Sequence, residues 1–201
     1  ETALTPPPGE RRMTLRLPVR VPALYMSYNV PSLTTADHQD DFYALTMLGG
    51  VLDGGTSARM ESNLVRGQRL AAGLGAGYDG LQRGNGTFTI TATPNPAVSL
   101  DQLEAAIKAE IEEIAEQPPS EAEMDRVRAG VLAEQIYQRD SVMGQAMELG
   151  TLSVLGLDWR LAGQFDDNLE AVTPEQVQQA ARKWLVAERS AVAHVIPEGE
   201  E

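Results

Sequence analysis

Cysteine is absent, and histidine occurs only at His38 and His194. The first absence excludes disulfides, thiolate metal sites and cysteine nucleophiles, and it is neutral about compartment because exported proteins can also lack cysteine. The second removes the usual metal-ligand pairs. His38 is followed by Gln-Asp-Asp and His194 by Val-Ile-Pro, so neither opens H-x-x-E-H, which sets two imidazoles on one helix face around a general base. Positive charge is scarce too: 16 Lys and Arg stand against 29 Asp and Glu, a net charge of −13. That balance opposes binding to phosphate backbones, so no nucleic-acid partner is expected. No apolar run is long enough to span a bilayer, and no charged-then-apolar leader opens the chain.

What is present fits one sizeable core, since 201 residues with 42% hydrophobic content bury most of the surface the unfolded chain exposes. Residues 1–13 include three consecutive prolines, Pro6 to Pro8, and read as a proline-rich linker. Residues 14–201 read as a single domain. The first residue is Glu1, not Met, and the chain is expected to be a piece of a longer one.

Strand character lies in Thr14 to Leu17, Ala23 to Val30, Ala72 to Tyr78, Thr87 to Thr93 and Ser190 to Ile196. Phe42, Leu45, Leu48 and Leu52 recur at helical spacing in Asp40 to Leu52. Ser99 with Gln102 and Ser120 with Glu123 form capping boxes. The first opens a helix carrying Leu103, Ile107, Ile111 and Ile114, the second a helix carrying Met124, Val127, Val131 and Ile136. Thr173 with Pro174 starts the last long helix. Without strict βαβ alternation, this order predicts an α+β fold, a largely antiparallel sheet with helices packed on one face.

The chemistry-bearing residues mostly read as structural. A ligand set of His38, Asp40 and Asp41 is disfavoured because adjacent residues on a helix diverge, and acids suit a first turn anyway. His194, in AVAHVI, reads as a half-buried strand histidine. Glu110, Glu112, Glu113 and Glu116 lie off the Ile107 and Ile111 stripe and read as a solvated surface. Ser141 beside Asp140 reads as a helix cap. The run GLGAG lacks a nucleotide loop's spacing and following residues.

The most distinctive block is LDGGTSARMESNLVRGQRLAAGLGAGY, Leu52 to Tyr78. Gly54 and Gly55 end a helix, Ser57 is placed to cap the next, and Met60 and Leu64 share its inner side. Gly54, Gly55, Ser57, Arg59, Leu64, Leu70 and Ala71 match, without a gap, the pattern G-G-x-S-S-R-L-x-x-x-L-R-x-x-x-G-L-A-Y. The block thereby resembles the C-terminal, non-catalytic domain of the pitrilysin/insulinase zinc metallopeptidases, which include the mitochondrial processing peptidases. Elements in matching order extend the resemblance over Leu15 to Ile196. It implies a processing-peptidase-like domain helping to form a peptide-binding chamber opposite a zinc-bearing N-terminal half. By that reading this segment has no catalytic residue, metal ligand or cofactor of its own; zinc sits in the missing half of a zinc-dependent endopeptidase. The implied partners are that half, a homologous subunit and a peptide substrate, and the implied location is the bacterial periplasm or another exported site. The family's substrate-binding Arg falls on Val65 and its Tyr on Ala72, so neither donor is present. Arg66 and Arg69 are candidate chamber-lining residues. A non-enzymatic scaffold or assembly subunit on the same fold is the alternative.

Overall fold

The computed structural model describes residues 9–198; residues 1–8 of the proline-rich stretch lie outside them. Five strands, β1 (Arg11–Leu17), β2 (Ala23–Val30), β3 (Ala71–Asp79), β4 (Gly86–Pro94) and β5 (Ser190–Pro197), form one sheet in the order β1-β5-β2-β4-β3. Only β1 and β5 run parallel; the other pairings are antiparallel. The expected class and sheet type are therefore observed.

Alternation along the strands separates the two faces. Leu24, Met26, Tyr28 and Val30 of β2 and Phe88, Ile90 and Ala92 of β4 are buried beneath the helices. Tyr25 and Met13, Leu15 and Leu17 of the edge strand β1 lie exposed. Strand β1 begins at Arg11, ahead of the Thr14 start that β propensity predicts. Long-range ion pairs from Glu10 and Arg12 to helix α2 (Leu100–Glu116) hold its start, and local propensity does not report such pairs.

Helix α1 (Asp40–Asp53) is buried over more of its circumference than the four-residue stripe predicts, because it lies between the sheet and two further helices. Those are α3 (Glu121–Arg139) and α6 (Pro174–Trp184). Both predicted capping boxes form: Ser99 Oγ accepts from Gln102 N–H at 3.1 Å, and Ser120 Oγ from Glu123 N–H at 3.3 Å. Thr173 caps α6, with Pro174 in its first turn. Ser141 caps α4 (Val142–Leu155), accepting from Gly144 N–H at 3.3 Å.

Ile136 is a correction. It follows the helical stripe of Met124 and Val127 in sequence but is exposed, because the C-terminal part of α3 projects past the core. Gly156, at φ 77°, ends α4 in the left-handed conformation. A 3-10 turn (Trp159–Gly163) and the short α5 (Phe165–Glu170) lead back toward α1. There Phe42 meets Tyr43, Tyr78 and Phe165 edge-to-face, and Tyr43 lies tilted on Phe165, with centroids 5.1 to 6.4 Å apart.

Candidate functional site

The distinctive block folds as a turn, a wide helical segment and a bulged strand. Gly55 has φ 106°, and a Cβ on Gly54 would lie 2.3 Å from the Gly50 carbonyl oxygen, so the chain reverses here only with glycine at both places. Helical geometry resumes at Arg59 and becomes a π-helix over Glu61–Gly67. Among the described residues, Ser57 makes no side-chain hydrogen bond and does not act as the expected cap; the restart is fixed instead by contacts to other helices.

Arg59 makes a forked contact with Glu123 of α3, Nε to Oε1 at 2.7 Å and Nη2 to Oε2 at 3.3 Å. Burial raises the Glu123 pKa, but the bonds from Arg59 and Ser120 outweigh it and hold that carboxyl at about 2. Asn63 Nδ2 donates to both oxygens of Glu110, at 3.1 and 2.9 Å. Glu110 is thus a correction to the solvated-surface reading: it is buried, and that burial raises its pKa despite the Asn63 bonds. Met60 and Leu64 are fully buried, which anchors the segment's inner side.

Val65 packs, half-buried, on the edge of the core, and Ala72 is exposed where a register shift separates Ala71 from Gly73. The π-helix that carries Val65 packs on β3, whose bulged start carries Ala72, and neither position has a donor side chain. The Arg66 guanidinium folds back onto its own turn, donating to Ser62 Oγ at 2.7 Å and to the Thr56 carbonyl. Arg69 is exposed with φ 55°, a conformation held by Asn95, whose Nδ2 donates to the Arg69 carbonyl at 2.7 Å. Asp53, at the end of α1, accepts the edge N–H of Ala76 at 2.9 Å and so covers part of the free edge of β3. Burial, with repulsion from Glu61, raises its pKa against the lowering effect of that bond.

A family profile described as peptidase M16 inactive domain matches residues 2–131. The chain belongs to this family. A comparison with curated protein sequences finds no match. Among solved structures, this M16 inactive domain is similar to a protease from Helicobacter pylori, with TM-score 0.87 and 21% identity over 98% of this chain and 46% of that one. It is also similar to the inactive peptidase domain of a proposed zinc protease from Bordetella parapertussis, with TM-score 0.79 and 23% identity over 93% and 96% of the two chains. A periplasmic protease from Escherichia coli matches with TM-score 0.73 and 16% identity over 94% of this chain and 21% of that one. The likeness is one of fold. The chain spans less than half of the Helicobacter protein and nearly all of the Bordetella domain. No helix among the described residues is long and apolar enough to cross a membrane.

The M16 inactive domain also carries a polar cluster that sequence spacing alone does not assemble. Arg12 Nη1 and Nη2 donate to Glu104 Oε1 and Oε2 at 2.6 and 2.7 Å, and Lys108 Nζ reaches Glu104 Oε1 at 2.9 Å and Glu10 Oε1 at 2.7 Å. His194 Nε2 lies 2.8 Å from Glu104 Oε2, and its Nδ1 3.9 Å from Asp101 Oδ1. The Arg12 guanidinium, assisted by Lys108 and His194 against the effect of burial, lowers the Glu104 pKa to about 2.

Asp101, Glu104 and His194 bring three ligand-type atoms within 4.8 Å of one another. The surroundings do not suit zinc, because both oxygens of Glu104 are already held by cations that a metal ion would have to displace. His38 stands apart from this group, exposed before α1. Only the i, i+4 spacing of Glu104 and Lys108 is visible in the sequence; the contributions of β1 and β5 depend on the sheet order.

Proposed function

We propose that this M16 inactive domain is the non-catalytic wall of a peptide-binding chamber, set opposite a zinc-bearing N-terminal half of a metalloendopeptidase. The observation that supports the reading is the turn, π-helix and bulge from Gly54 to Gly73, in which Val65 is half-buried, Ala72 is exposed and neither residue offers a hydrogen-bond donor. An aliphatic and a methyl group shape a wall; they do not grip a peptide backbone.

The chain's share of the Helicobacter protease, 46%, leaves room for a second domain of similar size in a protein of that length. In this reading the partner half supplies the zinc and its water, and a homologous subunit supplies the Arg and Tyr donors. An exported location accompanies the proposal, supported by the periplasmic Escherichia coli protease with the same fold. The domain shapes the chamber and excludes bulk water from it, while proton transfer and metal chemistry belong to the other half.

The test is to express the upstream half of the parent gene and titrate it with this chain, following association by calorimetry and cleavage of a quenched peptide. A complex with chelator-sensitive hydrolysis supports the assignment. Two folded halves that ignore each other at tens of micromolar, roughly −6 to −7 kcal/mol of binding, overturn it. A complex that stays without hydrolysis after a homologous subunit carrying the Arg and Tyr donors is added favours the scaffold reading, for which the absent donors at Val65 and Ala72 are the observation.

A further inference from the structure

Helix α4, VMGQAMELGTLSVL, is apolar around much of its circumference, yet Leu152 is the buried residue among its side chains. Val142, Met143 and Met147 are 85%, 71% and 63% exposed. A helix of this composition normally lies covered, and adjoining exposed apolar residues mark a surface that meets something. Behind α4 opens a cavity of about 270 Å³, walled by Leu33, Phe42, Tyr43, Met147, Leu161 and Phe165. At ~30 Å³ per water this is room for about nine waters, below the ~300–1,000 Å³ of sites for drug-sized ligands. One bulky side chain suits it better than a cofactor.

Its polar lining consists of Gln135, Glu148 and Thr151. Glu148 is half-buried and, among the described residues, makes no hydrogen bond or ion pair. Arg83 Nη2 donates to the Val154 carbonyl at 2.8 Å, and Arg160 pairs with Asp158 at 3.3 Å. A carboxylate at an apolar mouth favours a cationic neighbour from outside. The same carboxylate, in a chain of net charge −13, opposes anionic lipid.

Resting on the chamber reading above, we propose that this cavity is an anchoring pocket for an extended peptide. It takes one aromatic or long aliphatic side chain, and Glu148 selects Lys or Arg beside that residue. The flexible Met143 and Met147 side chains at the rim fit different anchors by changing rotamer.

The test uses the full chain and a fluorescein-labelled peptide with one Phe-Arg pair in a Gly/Ser background, read by anisotropy. Replacing Phe by Ala in the peptide is expected to weaken binding about ten- to hundredfold, the worth of burying an aromatic side chain. Replacing Arg by Glu weakens it about three- to tenfold at low salt, and Glu148→Gln removes most of that difference. Thr151→Phe fills the cavity and removes the preference for Phe over Ala.

Equal binding of the Phe and Ala peptides overturns the proposal. So does unchanged binding by Thr151→Phe with a wild-type melting curve, or sedimentation showing that the α4 face is buried in a dimer which Met147→Lys dissociates. If Thr151→Phe does not fold, Glu148→Gln with the two peptides decides the matter. The chamber reading fails separately. Peptide binding as described, with no hydrolysis once the zinc-bearing half and the homologous donor-bearing subunit are both added, removes the chamber and leaves the pocket, whereas hydrolysis without any Phe preference in binding removes the pocket and leaves the chamber.

Discussion

A Cβ placed on Gly50 of α1 would lie 2.3 Å from Cγ1 of Val127 on α3 and 3.4 Å from its Cβ, so these helices meet through a glycine and a β-branched side chain. Turning the Val127 side chain does not remove the overlap easily, because helical valine is held in one rotamer. Gly50→Ala gains roughly 1 kcal/mol of helix propensity but overpacks a contact at a cost of roughly 1–3 kcal/mol. The expected outcome is a net loss of about 1 kcal/mol in urea denaturation, most of it recovered in the double variant Gly50→Ala, Val127→Ala. A loss that persists in the double variant would place the strain elsewhere.

Glu104 makes stability depend on acidity. Its folded pKa, about 2, lies below the ordinary carboxylate value, so its contribution is complete above about pH 4.5 and is lost as pH falls toward 2. Glu123, also at about 2, acts in the same window. Glu104→Gln is expected to lower stability at neutral pH by about 2 kcal/mol, as for charge-assisted hydrogen bonds, and to flatten the curve between pH 4.5 and 2. Thermal melts of both proteins across that range check the sign; a wild-type curve as flat as the variant's would rule out Glu104 as a source of the acid sensitivity.

The parts of this fold legible in advance depend on neighbours in sequence. Ser99 and Gln102 are three residues apart, and the cap they form needs nothing else. The alternation of Phe88, Ile90 and Ala92 with threonines likewise names the inner face of β4 without knowledge of β2. Glu110 is different. Its position on α2 resembles that of its solvated neighbours, and its burial depends on Asn63 arriving from a separate segment. The π-helix is hidden for a related reason, since its wide turn is imposed by the Arg59 to Glu123 contact and by the seating of Met60 and Leu64. The pattern of glycines and apolar residues locates the turn, helical segment and strand start over Gly54 to Ala72. No such pattern locates the cavity beside α4, because its walls come from α1, α3, α4, α5, the β2–α1 and β3–β4 connections and the Trp159–Gly163 turn.

Metal content is the next expectation. Asp101, Glu104 and His194 cluster as ligands would, but Arg12 and Lys108 occupy Glu104, so the purified chain is expected to retain no stoichiometric zinc after dialysis. Metal analysis by mass spectrometry checks this. Near-equimolar zinc that disappears in His194→Ala would show that the ion displaces the two cations.

The exposure of Ala72 and the partial burial of Val65 determine how the domain responds when the family's donors are restored. Ala72→Tyr at an exposed strand start is expected to change stability by less than about 0.5 kcal/mol. Val65→Arg gives up part of a packed contact and is expected to cost about 1 kcal/mol, its guanidinium reaching outward past the methyl groups it replaces. The double variant of this chain alone stays without peptidase activity, because hydrogen-bond donors to a peptide do not supply a metal-activated water. Its effect belongs to the assembled protein. Added to a zinc-bearing upstream half, the double variant is expected to bind a backbone-mimicking peptide inhibitor about tenfold more tightly than the natural chain, the worth of one or two added hydrogen bonds. An inhibitor constant unchanged by the restored pair, with both proteins folded and associated, would mean that the π-helix and the bulge of β3 do not face the peptide.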